Sequence, residues 1–248
     1  MARTDFTSPR LFLDAPLAEG ARLPLAAPQA NYLLNVLRLS EGARVLVFNG
    51  RDGEFATSLH LASRKSAMLA VGARLREQES APDLDYLFAP LKHARLDYMA
   101  QKAVEMGARR LRPVMTRRTQ ASRVNLDRLR ANAIEACEQC GVIWIPDVVA
   151  EAPLEKALSQ WPAERLLIFC DEEAPLADPL AALAVAGERG QPCALLIGPE
   201  GGFDDQERAA ILSAPKVLRL SLGPRILRAD TAAVAALALI QARLGDWR

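Results

Sequence analysis

Up to residue 75 the apolar positions fall in short, partly alternating runs: "RLFLD", "ARVLVFNG", "GEFATSLHLA" and "SAMLAVGARL". Alternation at period two puts every second side chain on one face, so these runs predict strands. The turn signals Asn49-Gly50 and Asp52-Gly53 between them favour a small β-barrel. One helix-like piece, "PQANYLLNVLRL", interrupts the strands. The polar stretch "REQESAPDL" then ends this texture. Polar, proline-containing stretches of this kind separate domains. The expected division is residues 1–75 as the barrel, 76–83 as a linker and 84–248 as a second domain.

From Leu84 onward the period changes to a regular exchange of strand-like and helix-like pieces. "LDYLFAP" precedes "HARLDYMAQKAVEMG", in which Leu96, Met99, Ala100 and Ala103 recur at helical spacing and Gly107 closes the helix as its C′ residue. The pattern continues with "RLRPVMT" and "NLDRLRANAIEACEQCG", "VIWIPDVV" and "PLEKALSQ", "RLLIFC" and "PLADPLAALAVAG". It ends with "CALLIG" and "DDQERAAILS", then "KVLRLSL" and "DTAAVAALALIQARL". Six βα-like units predict an α/β domain with a parallel sheet and helices on both faces. Ligands of such sheets bind beyond the carboxyl ends of the strands, which directs attention to the loops that follow them.

Composition narrows the function classes. The 248 residues are 50% hydrophobic and 25% charged, the make-up of a folded globular chain. The formal charge of +1 exerts no overall pull toward nucleic acid, so an RNA partner has to be met by a local basic patch. Arginine accounts for 26 of the 31 basic residues, which suits phosphate contacts and equally follows from a GC-rich genome. No stretch approaches the roughly 18 apolar residues of a membrane span, and "MARTDFTSPRLFLDAP" lacks a signal-type apolar core, so a cytoplasmic protein without membrane contact is expected. Cys137, Cys140, Cys170 and Cys193 are too scattered for a disulfide framework and read as free thiols.

The inventory of reactive side chains excludes more. With only His60 and His93, neither a Ser-His-Asp site nor a histidine-rich metal centre has its material, and no metal is expected. The Cys137-to-Cys140 spacing has no second pair to complete a tetrahedral site and is read as structural. Walker A and G-x-G-x-x-G sequences are both missing, which disfavours P-loop enzymes, Rossmann dehydrogenases and Rossmann-type methyltransferases.

Two loops stand out. "LLIGPEGGF", residues 195–203, joins an apolar strand to "DDQE", where Asp204 can cap a helix with Glu207 three positions on. Its glycines permit close backbone approach, Pro199 stiffens the turn and Glu200 leaves one carboxylate there. One βα unit later, "LSLGPRILRADTA" repeats the Gly-Pro step. Two such loops ending successive strands could flank one pocket. Lined by backbone groups with Leu222, Ile226 and Leu227, it suits a neutral, adenosine-like ligand better than a polyphosphate. An ordinary tight turn, with Arg225 and Arg228 as surface partners of Asp230 or Glu200, is the competing reading.

"LLIGPEGGF" with "LGPRILRADTA" resembles the ribosomal RNA small subunit methyltransferase E family, a SPOUT branch that methylates N3 of a uridine in the decoding region of 16S rRNA. "LKHARLDYMAQKAVEMG", "EACEQCG", "NYLLNVLRLSEGARVLVFNG" and "SPRLFLD" are similar to further stretches of that family, so the likeness spans the chain. Cys140, Val142 and Asn31 depart from it, standing where serine, arginine and histidine are usual. The resemblance implies a PUA-like barrel, a catalytic domain with a deep trefoil knot, a homodimer, S-adenosylmethionine as cofactor and 16S rRNA of the small subunit as substrate. By matching position, the cofactor would meet Leu196, Gly198, Leu220, Ser221, Leu222, Gly223, Ile226, Leu227 and Arg228, with Pro199, Glu200 and Gly201 of the first loop.

Uridine N3 carries a proton between two carbonyls and is a poor nucleophile. As the proton leaves, charge spreads to O2 and O4, and a guanidinium fixed beside them stabilises the transition state more than the ground state. Arg225, after the rigid Gly223-Pro224 step, is the expected catalytic residue. Arg10, Arg38, Lys92, Arg117, Arg118 and Arg123 are expected phosphate contacts. Another SPOUT acceptor, or a non-catalytic RNA-binding assembly factor, stands as the alternative, because fold alone does not name a reaction.

Overall fold

The computed structural model describes residue 5 and residues 7–63, 66–92, 94–121 and 123–247, so His93 lies outside the described residues. Two compact units divide the chain: residues 1–80 with 137–145, and residues 81–136 with 146–248.

In the first unit the alternating runs form strands β1 (Arg10–Phe12), β3 (Arg44–Phe48), β4 (Glu54–Ser63) and β5 (Ser66–Arg76); β2 (Arg22–Pro24) was not expected. The five-stranded order is β1-β3-β4-β5-β2, antiparallel except for β1 beside β3. Inward positions, among them Leu11, Leu33, Val45, Val47, Leu59, Leu69 and Val71, make its core. The helix-like piece is α1 (Ala27–Asn31) followed by a π-helical turn, Tyr32–Val36, and it ends at Arg38, whose φ is 55°. That left-handed conformation is uncommon for a residue with a Cβ.

The second unit holds a parallel sheet ordered β12-β10-β11-β6-β7-β8: β6 (Leu84–Phe88), β7 (Arg110–Met115), β8 (Asp147–Val148), β10 (Leu166–Cys170), β11 (Cys193–Ile197) and β12 (Val217–Leu220). A short β9 (Ala152–Pro153) also pairs with β7. Between the strands run α2 (Ala94–Glu105), α3 (Leu126–Cys140), α4 (Leu154–Ser159), α5 (Pro179–Ala186) and α6 (Asp205–Leu212), and α7 (Ala229–Arg243) follows β12. β6 and β11 are buried along their whole length, as expected of strands covered on both faces. The one carboxylate within them, Asp85, is fully buried and accepts from Arg110 Nη1 at 3.2 Å and Arg112 Nη1 at 3.1 Å. Gly107 has φ +82°, as its C′ position requires.

The long strand expected from "VIWIPDVV" is corrected to the two residues of β8. Pro146 has no N–H for a ladder, and residues 137–145 group with the first unit rather than with the sheet. The contiguous division at residues 76–83 therefore differs from the structure by this return segment. Among the described residues no helix is long and apolar enough to cross a membrane, and no group of three or more His, Cys, Asp or Glu is placed to hold a metal ion.

Candidate active site

The chain enters the second sheet at β6, adds β7 and β8 on one side, then crosses to add β10, β11 and β12 on the other. The carboxyl ends of these last three strands open into one cavity of about 690 Å³. That lies within the roughly 300–1,000 Å³ of small-molecule sites.

The first wall is the loop after β11. Asp204 and Glu207 form the anticipated capping box: the Glu207 amide donates to Asp204 Oδ1 at 2.8 Å and the Asp204 amide donates to Glu207 Oε2 at 3.1 Å. The Glu207 amide, with Arg117 beside it, holds the Asp204 carboxyl below the usual range. Gly198 faces the Phe203 ring so closely that a Cβ would lie 2.7 Å from it, which explains a glycine there. Phe203 in turn packs edge-on against Phe169 of β10 at 5.4 Å.

The loop after β12 is the second wall. Leu220, Ser221, Leu222, Gly223, Pro224, Arg225, Ile226, Leu227 and Arg228 all line the cavity, and Gly223 takes φ +100°. Arg225 and Arg228 are exposed, and neither side chain has an ion pair or hydrogen-bond partner among the described residues. Their suggested surface partners are engaged elsewhere: Glu200 approaches Arg95 at 3.5 Å, and Asp230 accepts from the Thr231 amide.

The sequence reading missed the third wall, residues 171–176 after β10, where Asp171, Glu172, Glu173, Ala174 and Leu176 line the cavity. The rule that ligands sit beyond strand ends applied equally to "RLLIFC", but "DEEAP" has the look of a solvated acidic turn.

Of the remaining expected cofactor contacts, Pro199 and Glu200 line the cavity, whereas Leu196 and Gly201 do not. Leu196 is a fully buried core residue, and the Gly201 carbonyl accepts from Arg118 Nη1 at 2.5 Å. The expected RNA contacts divide. Arg10 is corrected outright: it is buried, its Nε donates to the buried Glu54 at 2.6 Å and its Nη2 donates to the Asp5 carbonyl at 2.6 Å, so no phosphate can reach it. Arg117 bonds Asp204 at 2.8 Å and Gln206 at 2.6 Å, so with Arg118 it braces the loop after β11. Arg38, Lys92 and Arg123 are exposed, with no side-chain partner among the described residues.

Comparison with known proteins matches this geometry to a family. A family model described as an RNA methyltransferase domain matches residues 78–241, and one described as an RNA methyltransferase PUA domain matches residues 25–68. The ribosomal RNA small subunit methyltransferase E of Synechocystis is 30% identical, covering 90% of this chain and 74% of that protein. The protein of the same name from Rickettsia conorii is 27% identical over 94% of each chain. The crystal structure of a ribosomal RNA small subunit methyltransferase E from Neisseria gonorrhoeae, bound to S-adenosylmethionine, superposes with a TM-score of 0.84 at 26% identity over 97% of this chain and 100% of that one. A cavity at the strand ends, two Gly-Pro loops and a PUA domain ahead of them thus occur together in this chain, which belongs to the ribosomal RNA small subunit methyltransferase E family of RNA methyltransferases.

Proposed function

We propose that this chain transfers a methyl group from S-adenosylmethionine to N3 of a uridine in the decoding region of 16S rRNA within the small ribosomal subunit. The observation that carries the reading is one cavity that joins glycine-rich backbone from two strand-end loops to an arginine, Arg225, with no partner among the described residues. A neutral nucleoside moiety fits such a wall of amides, carbonyls and leucines. Gly198, Pro199, Glu200 and the stretch from Leu220 to Gly223, with Ile226, Leu227 and Arg228, would hold the cofactor. S-adenosylmethionine supplies an electrophilic methyl group when bound.

Arg225 donates to the uracil carbonyls and stabilises the charge that develops on O2 and O4 as the N3 proton passes to solvent water. Arg228, at the N-cap of α7, shapes the cofactor side. The target base leaves its stack to reach the cavity. The trefoil knot implied by the resemblance would be formed by the two Gly-Pro loops. Labelled cofactor should label small-subunit RNA and leave large-subunit RNA unlabelled; label in neither overturns the reading.

Residues 1–75 serve in this reading as a PUA-like RNA-binding domain, a role supported by the family match at residues 25–68. Arg38, Lys92 and Arg123, with the exposed Arg117 and Arg118 beside the loop after β11, are the phosphate contacts of this reading. Each phosphate neutralised on single-stranded RNA contributes about 0.7 to the slope of log affinity against log salt. Arg123→Ala should therefore flatten that slope by about 0.7 without changing which RNA is chosen; filter binding across a salt series checks this.

A homodimer completes the reading. Helix α5 carries no polar side chain, yet only Leu183 is buried, and Val185 is 90% exposed. With Leu180, 43% exposed on the same helix, it gives an apolar face suited to a second copy. Light scattering should give twice the 27.0 kDa of one chain, and Val185→Asp should give the monomer mass.

A further inference from the structure

The three walls of the cavity converge on one carboxylate. Asp171, the residue immediately after β10, has a side chain only 3% exposed. Its Oδ2 accepts from Arg219 Nε of β12 at 2.6 Å and from Arg208 Nη2 of α6 at 2.7 Å. Its Oδ1 accepts from the Glu173 amide at 3.0 Å, which shapes the third wall itself. The backbone repeats the connection, since the Asp171 amide donates to the Leu220 carbonyl at 3.2 Å and the Ala174 amide donates to the Asp171 carbonyl at 3.0 Å. Arg219 carries a second strut, its Nη2 donating to the Glu173 carbonyl at 2.6 Å, and Arg208 also reaches Glu173 Oε2 at 3.2 Å. Burial pushes the Asp171 carboxyl up, but the hydrogen bonds from Arg208, Arg219 and the Glu173 amide outweigh it and hold the group below its ordinary range.

Each partner lies in or beside one wall of the cavity. Arg219 lies one residue before Leu220, where the second Gly-Pro loop begins. Arg208 lies on the helix that ends the first Gly-Pro loop, and Glu173 belongs to the third loop. Buried charges need partners to offset their desolvation, and a charge-assisted, multiply bonded carboxylate fixes the geometry of whatever carries its donors.

We infer that Asp171 is the positioning residue that sets the three loops walling the cavity in register, acting through Arg219 and Arg208 and not on the reacting atoms. This rests on the reading of the cavity as the S-adenosylmethionine site. Asp171→Asn keeps the shape but removes the charge that both arginines address. Cofactor affinity, measured by calorimetry on the full chain, should fall at least tenfold. The apparent KM for cofactor should rise with it, while kcat at saturating cofactor stays within about threefold. Amide hydrogen exchange should quicken in residues 171–176 and 220–228 and stay unchanged in β6 and β7.

Arg219→Lys retains the charge but loses the two-pronged donor, and it should reproduce the same pattern more weakly. This variant decides the matter if Asp171→Asn does not fold. Wild-type cofactor affinity in a folded variant overturns the inference, as does exchange that quickens evenly through the whole second unit. If the wild-type chain itself binds no S-adenosylmethionine, the reading of the cavity fails instead, and the exchange pattern alone decides the role of Asp171.

Discussion

Arg225→Ala is expected to slow methyl transfer roughly 10²–10³-fold while leaving S-adenosylmethionine affinity nearly unchanged, because it removes a donor needed chiefly when charge develops on the base. Among the described residues this side chain has no partner. It is exposed at the cavity and follows a Gly-Pro step that fixes its backbone. Arg225→Lys restores the charge but not the planar pair of donors that can address a carbonyl and its neighbour together, so it should recover only a small part of the rate. Single-turnover kinetics with saturating cofactor separate this loss from weakened binding. A normal rate in Arg225→Ala would remove the residue from the mechanism.

The second large effect concerns stability. Arg10→Ala leaves the Glu54 carboxylate buried without its 2.6 Å partner, and breaking a buried pair in this way costs about 3–5 kcal/mol. Arg76 Nη1, 3.8 Å from the same carboxylate and donating to the Gly141 carbonyl at 2.8 Å, offsets part of that loss. The first unit should melt earlier or unfold at lower denaturant. Arg10→Ala combined with Glu54→Ala should be less damaging than Arg10→Ala alone, since no buried charge is then left unpaired. An unchanged unfolding midpoint in Arg10→Ala, together with weaker RNA binding, would restore Arg10 to the RNA-binding surface.

The two arginines show what a sequence can and cannot disclose. The position of Arg225 at the cavity was legible because its setting is local: a Gly-Pro step after an apolar run and before an alanine-rich helix fixes where the loop lies. Arg10 sits in an equally suggestive "SPRLFLD", but its fate depends on a glutamate 44 positions away, a separation no periodicity reports. The same reason hid the wall after β10. "DEEAP" looks like a solvated turn until Arg208 and Arg219 are brought to Asp171 by the strand order. Period and turn chemistry gave most of the elements of the second unit, including the capping box at Asp204. They failed at "VIWIPDVV", where Pro146 and the return of residues 137–145 to the first unit override an apolar run that reads as a strand. Leu196 and Gly201 illustrate a smaller gap. Both lie in the motif, yet Leu196 packs in the core, the Gly201 carbonyl accepts from Arg118, and neither lines the cavity.

Nucleoside analysis by mass spectrometry identifies the acceptor atom and the product together. Small subunits lacking the modification are incubated with the protein and isotope-labelled S-adenosylmethionine, and their 16S rRNA is digested. The account predicts labelled 3-methyluridine as the product. A labelled 2′-O-methyl nucleoside, or label on any other base, would contradict it.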